Sequence, residues 1–177
     1  MRFDRAITGG LVALALAALS GCGPSAGAAR QAAPGAAVVT KVIDGDTLAV
    51  KIGGGTEHVR LIGIDTPETH KPNTPVECFG VEATKALTRL VPTGTPLRLE
   101  RDAELRDRYG RLLAYVYRAK DGLFVNLEMV KTGFAAAYTY PPNVAHTTDI
   151  VAAAGQARDA GRGLWSACGG GHVTFAM

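Results

Sequence analysis

The order of hydrophobic patterns along the chain predicts an α+β domain, a small antiparallel sheet closed by helices. Strand-like runs come first, a helical run interrupts them, and further helical runs follow the last strand. No internal repeat divides the 177 residues, so one domain of ordinary size accounts for them. Val38 to Ile52 is rich in Val, Ile and Thr, with a turn signal at Asp44-Gly45. Gly53 to Gly55 read as a loop and Glu57 to Ile64 as a second strand, so residues 47–64 form a hairpin. Thr66-Pro67 stops it. A helix is expected from Val81 to Leu90, ended by Pro92 and Gly94, and a strand from Pro96 to Arg101. Leu112 to Arg118 alternates as a strand does, Phe124 to Thr132 fits a short helix before Gly133, and Thr147 to Ala160 a longer one.

The flanks differ from this core. Arg2 and Arg5 precede an uncharged, Ala- and Leu-rich run from Ala6 to Gly21, too short for a spanning helix and laid out as an export signal. Leu19-Ser20-Gly21-Cys22 resembles the lipobox of bacterial lipoproteins. Residues 1–21 are therefore expected to be a lipoprotein signal peptide and Cys22 the lipidated first residue of the mature chain. Residues 22–37 would form a flexible tether and 38–169 the folded domain; residues 170–177 are expected to be a disordered tail. Two acyl chains suffice for stable anchoring, which places the protein outside the cytoplasm on a bacterial membrane, held there by lipid alone.

Composition excludes several classes. Twenty-two glycines and nine prolines are too scattered for a fibrous chain, and a net charge of +3 is no polycation. Any polyanion must be held by charge placed locally. Three cysteines are too few for a disulfide scaffold or a four-cysteine zinc site.

Local charge is what three segments supply: Ile43-Asp44-Gly45-Asp46-Thr47, Arg60 to Thr69, and Asp107-Arg108-Tyr109-Gly110-Arg111. Asp46 and Asp65 put two hard carboxylates at strand ends, a donor type that favours Ca²⁺ or Mg²⁺ over zinc. Two carboxylates leave most of a calcium shell to carbonyl, water or phosphate oxygens. Glu68 stands just beyond, free to act as a base on water. Arg60 and Arg111 are forks suited to bidentate phosphate contact. Together they are a kit for in-line attack on a phosphodiester. Arg60 and Asp65, five apart, would face opposite ways on a regular strand, so they converge only if the strand bends near Gly63 or ends before Asp65. Taken singly, each segment could be an ordinary turn or strand stop.

In this order the three segments resemble those of the staphylococcal nuclease, or thermonuclease, family. The resemblance runs from about Val38 to Ser166, through Tyr138 and Tyr140 and the closing Gly163-Leu164-Trp165-Ser166. It implies a five-stranded OB-type β-barrel with three helices. It also implies Ca²⁺-dependent hydrolysis of DNA and RNA, with low sequence specificity, to products ending in 3′-phosphates. By position, Asp46 and Asp65 would bind calcium through carboxylates and Thr66 through its carbonyl, with Asp44 nearby. Glu68 would position or deprotonate the attacking water, and Arg60 and Arg111 would hold the scissile phosphate. Arg108, where the family often has lysine, and Tyr109 would face the terminal phosphate of the nucleotide pocket, and Tyr138 and Tyr140 would flank the nucleotide. The rival readings are a catalytically silent OB-fold module that binds nucleic acid or protein, and a lipoprotein that binds calcium for structure. The second has no use for Arg60 and Arg111. The protein is expected to be a monomer.

Cys78 and Cys168 remain. In an exported protein two free thiols would be open to oxidation, so a disulfide is expected, with two buried, unpaired thiols as the alternative. The staphylococcal nuclease is itself cysteine-free, so the bridge is a departure from the family.

Overall fold

The computed structural model describes residues 37–69 and 75–168, which lie within one compact unit. The signal, Cys22, the tether as far as residue 36 and the tail fall outside the described residues. Among the described residues no helix is long and apolar enough to cross a membrane.

Five strands form a closed barrel: β1 (Ala37–Asp44), β2 (Thr47–Ile52), β3 (Gly55–Leu61), β5 (Pro96–Glu100) and β6 (Leu112–Arg118), in the spatial order β1-β2-β3-β6-β5. Pairing of Ala37 with Leu97 closes the ring. Closure leaves the barrel without an exposed edge. The fold is the OB-type α+β barrel that the resemblance implied.

Three details depart from the sequence reading. The second strand ends at Leu61, and Ile62-Gly63 turns the chain into a separate two-residue strand, β4 (Ile64–Asp65). That strand pairs with β7 (Ala136–Ala137) instead of continuing the hairpin. β3 and β6 run parallel, Arg60 opposite Leu113, so the sheet is not wholly antiparallel. A parallel neighbour needs a crossover, and residues 62–111, with α1 (Gly80–Leu90) and β5, supply it. Besides α1, α2 (Val125–Lys131) and α3 (Thr147–Asp159), a one-turn helix α4 (Leu164–Ala167) follows Gly163.

Strand positions that alternate in sequence point inward: Leu48, Val50, Val59, Leu61, Leu97 and Val116 are buried. The helices cap this core with small and branched side chains, Ala83, Ala86 and Leu87 from α1, Val125, Met129 and Val130 from α2, and Ile150 and Ala153 from α3. Glu82 in the first turn of α1 and Arg89 in its last complement the helix dipole, and Pro92 prevents continuation. Asn126, fully buried at the start of α2, accepts from Val116 N–H at 2.9 Å and donates to Ile62 C=O at 2.9 Å. It satisfies main-chain groups where β6 meets the Ile62-Gly63 turn, the turn that sets the direction of β4.

Candidate active site

The turn between β1 and β2 carries the first carboxylates. Gly45 is forced there by close approach, since a Cβ would stand 2.7 Å from Thr66 Oγ1 and 2.9 Å from Ala83 Cβ. Asp44 and Asp46 flank it, both buried. Asp44 Oδ1 accepts from Gly45 N–H at 2.8 Å, Thr69 Oγ1 at 2.9 Å and Thr84 Oγ1 at 3.2 Å. Asp46 Oδ2 accepts from Thr66 N–H at 3.3 Å and Thr66 Oγ1 at 3.2 Å, which ties the chain beyond β4 to the β1–β2 turn.

Gly63, at φ 81°, makes the bend that brings Arg60 and Asp65 together. Arg60 Nη2 lies 2.9 Å from Asp65 Oδ1 and Nη1 lies 3.1 Å from Asp46 Oδ2, so one guanidinium joins both candidate metal ligands. Its Nη1 also donates to the carbonyls of Leu61 and Ile64, each at 2.9 Å.

Arg111 comes in from the turn before β6. Asp107 holds it, accepting from Arg111 Nε at 2.6 Å and from its N–H at 3.0 Å. Thr47 links the two halves: its Oγ1 donates to Asp46 Oδ1 at 2.9 Å and accepts from Arg111 Nη1 at 3.4 Å. Arg106 braces the same turn, with a bidentate pair to Glu57 of β3 at 2.9 and 3.0 Å and a bond to Gly110 C=O at 2.7 Å.

The carboxylates crowd one another. Burial pushes Asp65 up to about 6 against the opposing charge of Arg60, and Asp46, Glu77 and Asp44 add to the rise. Glu68 is pushed up to about 7 by its hydrogen bond with Asp44, by burial and by the charges of Asp44, Asp46 and Asp65. Asp44 shares that proton as acceptor; burial opposes its ionisation, but the bonds from Glu68, Gly45, Thr69 and Thr84 hold it below the ordinary value. A carboxyl poised near neutrality is what a general base requires.

A cleft of about 720 Å³ opens beside this cluster. Arg60, Asp65, Arg108, Tyr109, Arg111, Tyr138 and Tyr140 line it. The Tyr138 and Tyr140 rings lie stacked, 11° from parallel with centroids 6.3 Å apart, and Tyr140 and Tyr109 are exposed. Arg108 Nη2 donates to Tyr109 OH at 2.6 Å, and the Arg111 guanidinium lies 5.4 Å from the Tyr109 ring centroid. Asp46, Thr66 and Glu68 are not lining residues: Asp46, to which Thr66 is bonded, meets the lining residue Arg60, and Glu68 is bonded to Asp44 behind it. Among the described residues no group of three or more His, Cys, Asp or Glu side chains is placed to hold a metal ion, so any ion here must draw on main-chain, solvent or substrate oxygens.

The profile of the family described as staphylococcal nuclease homologue matches residues 58–167, which span the second arginine-carboxylate segment, the Asp107–Arg111 turn and the last helices. The chain belongs to the staphylococcal nuclease family. It is 44% identical over 128 residues to a thermonuclease of Staphylococcus hyicus, covering 72% of this chain and 74% of that one. A thermonuclease of Staphylococcus intermedius is 40% identical over 166 residues, 90% of this chain and 97% of the other. The endonuclease YncB of Bacillus subtilis is 41% identical over 131 residues, 73% and 61% of the two chains.

Within this staphylococcal nuclease fold, three contributors escaped the sequence reading. Thr47 and Asp107 were inside the charged segments but had no assigned role; a carboxylate four residues before an arginine in a turn is the signal for Asp107. Glu77 pairs with the backbone of Glu68 across nine residues and has no local signature. The disulfide expected from the cysteine count is present, Cys78 to Cys168 with Cα atoms 5.9 Å apart.

Proposed function

We infer that the chain is a nuclease, and propose that it hydrolyses phosphodiesters of DNA and RNA with low sequence specificity, dependent on Ca²⁺, leaving 3′-phosphates. The observation that carries this reading is the convergence of Asp46, Arg60 and Asp65, joined to Arg111 through Thr47, beside a cleft that Arg60, Asp65 and Arg111 line.

The donor set fits a hard cation: carboxylates of Asp46 and Asp65, with the Thr66 carbonyl, where burial, and the neighbouring carboxylates with it, raise Asp65 and so leave its charge short of compensation. When bound, Ca²⁺ supplies charge neutralisation for phosphate oxygens. Glu68 takes the proton of the attacking water, whose oxygen bonds to phosphorus as the bond to the 5′ oxygen breaks and that oxygen takes a proton from solvent. Arg111, oriented by Asp107, and Arg60 donate to the phosphate oxygens on which charge grows. Arg108 and Tyr109 take the terminal phosphate, and Tyr138 and Tyr140 offer aromatic faces to bases without regard to sequence. The chain acts as a monomer outside the cytoplasm, anchored through Cys22, a reading supported by the Leu19–Cys22 sequence.

One assay tests the enzyme: purified protein with single-stranded DNA, in millimolar Ca²⁺ or in chelator. Cleavage should require calcium, and Glu68→Gln or Arg111→Ala should lower turnover by about 10²-fold or more with the fold retained. DNA left intact at millimolar calcium rejects the enzyme in favour of a silent binding module.

A further inference from the structure

Glu68 lies in residues 66–69, which follow β4 and belong to neither helix nor strand. Two hydrogen bonds tie its backbone to Glu77. Glu68 N–H donates to Glu77 Oε2 at 3.0 Å, and Glu77 N–H donates to Glu68 C=O at 2.9 Å. Glu77 thus engages both polar main-chain groups of the proposed base, one with its side chain and one with its own backbone.

The residues after Glu77 are fastened in turn. Cys78 is bridged to Cys168, directly after α4. Phe79 takes φ 71°, a left-handed conformation that strains a bulky non-glycine residue. It stacks on Phe134 with centroids 5.4 Å apart. Gly80 then brings α1 against the base-bearing stretch, where a Cβ would stand 2.8 Å from Pro67 C=O and 3.1 Å from Glu68 C=O. Strain of this kind persists only where the surroundings over-determine it. Bridge, ring stack and close approach do so here, and what they hold in place is Glu77.

We propose that Glu77 is a positioning residue for Glu68, and that the Cys78–Cys168 bridge keeps Glu77 in register, so that turnover depends on this clasp. The proposal rests on the reading of Glu68 as the base. A base must lie within hydrogen-bond reach of the water it deprotonates, and a displacement of about 1 Å can lower the rate about 10²-fold. Glu77, Cys78 and Cys168 are not among the residues lining the cleft, so the clasp governs kcat, not substrate affinity. Cys78 is exposed and Cys168 half-buried, so a small dithiol can reach the bridge. The dithiol delivers two electrons and two protons, leaving two thiols on the protein and a disulfide on the reagent.

The test measures steady-state cleavage of single-stranded DNA by the full chain in saturating calcium. It compares Glu77→Ala, Glu77→Gln, Cys78→Ser with Cys168→Ser, Glu68→Gln, and the unaltered protein with and without dithiothreitol, while circular dichroism follows the fold. Glu77→Ala should lower kcat about tenfold to a hundredfold with KM within about twofold. Glu77→Gln keeps an acceptor oxygen for Glu68 N–H and should recover most of that loss. Loss of the bridge, by serine or by reduction, should lower kcat about threefold to tenfold at temperatures where the fold is intact. In the Glu68→Gln background, Glu77→Ala should add nothing. Unchanged kcat in Glu77→Ala, no recovery with Gln, or additive losses in the double variant overturns the clasp. Should Glu77→Ala not fold, reduction of the unaltered protein decides, and unchanged kcat on reduction overturns the proposal. If Glu68→Gln turns over normally, the base reading itself fails and the clasp falls with it. If Glu68→Gln is inactive while Glu77→Ala is fully active, the clasp alone is rejected.

Discussion

Asp102, just past the end of β5, works as a knot between three segments. Its Oδ1 accepts from Ala103 N–H at 2.8 Å, and its Oδ2 accepts from Tyr115 OH and Ala145 N–H, each at 2.9 Å. Burial opposes its ionisation, but the Ala145 N–H, the Tyr115 hydroxyl and the Ala103 N–H outweigh it and hold the carboxyl below its ordinary value. Burial and the Asp102 charge push the Tyr115 phenol up to about 12, so it stays a donor. A carboxyl whose pKa is depressed by folding stabilises the fold above its unfolded pKa, and that contribution is lost as pH falls through the folded value. Asp102→Ala should therefore destabilise the protein by about 1–3 kcal/mol at pH 7 and by less near pH 3. Urea titrations at the two pH values check this, and equal losses at both would show that the ionised form is not what matters.

The bend at Gly63 is where local chain geometry becomes chemistry. Gly63→Ala must hold φ 81° with a Cβ that stands 2.7 Å from Ile150 Cδ1 of α3. The expected loss is about 1–3 kcal/mol of stability together with lower turnover, because Arg60 and Asp65 meet only through this bend. Thermal unfolding beside cleavage assays reads both, and full activity would mean that another route brings the pair together. Much of this element was legible in advance: the five-residue spacing demanded a break, and glycine followed by Thr66-Pro67 offered one. Its partner was not legible. β4 has two residues and pairs with β7, Asp65 opposite Ala136 and Ile64 opposite Ala137, and a two-residue strand carries no periodicity to read. The parallel register of β3 with β6 was hidden for a related reason, since alternation reports which face is buried and not which strand lies alongside. Asp46, Arg60, Asp65 and Arg111 were readable because they cluster at strand ends. Thr47 reaches Arg111 from another strand and Glu77 reaches back to the backbone of Glu68, links that patterning does not encode.

At the scale of the molecule, the Cys78–Cys168 bridge closes a span of 90 residues, for which chain entropy gives about 4.5 kcal/mol. Replacing both cysteines by serine should lower unfolding free energy by about 2–5 kcal/mol in denaturant titrations. No change would place the bridge's importance elsewhere. With a net charge of only +3, binding of single-stranded DNA should rest on the few arginines of the cleft. The slope of log K against log salt should be about −2 to −3, as three or four phosphate contacts give; a much steeper slope would reveal a wider basic footprint. The parallel pairing of Arg60 with Leu113 carries one more consequence. Arg60 and Arg111 reach the chain end of a growing polypeptide about fifty residues apart, and they become neighbours only when β6 docks between β3 and β5. A nascent chain holds every reactive side chain yet no cutting centre. Such a chain is harmless to the nucleic acid around it until the barrel shuts.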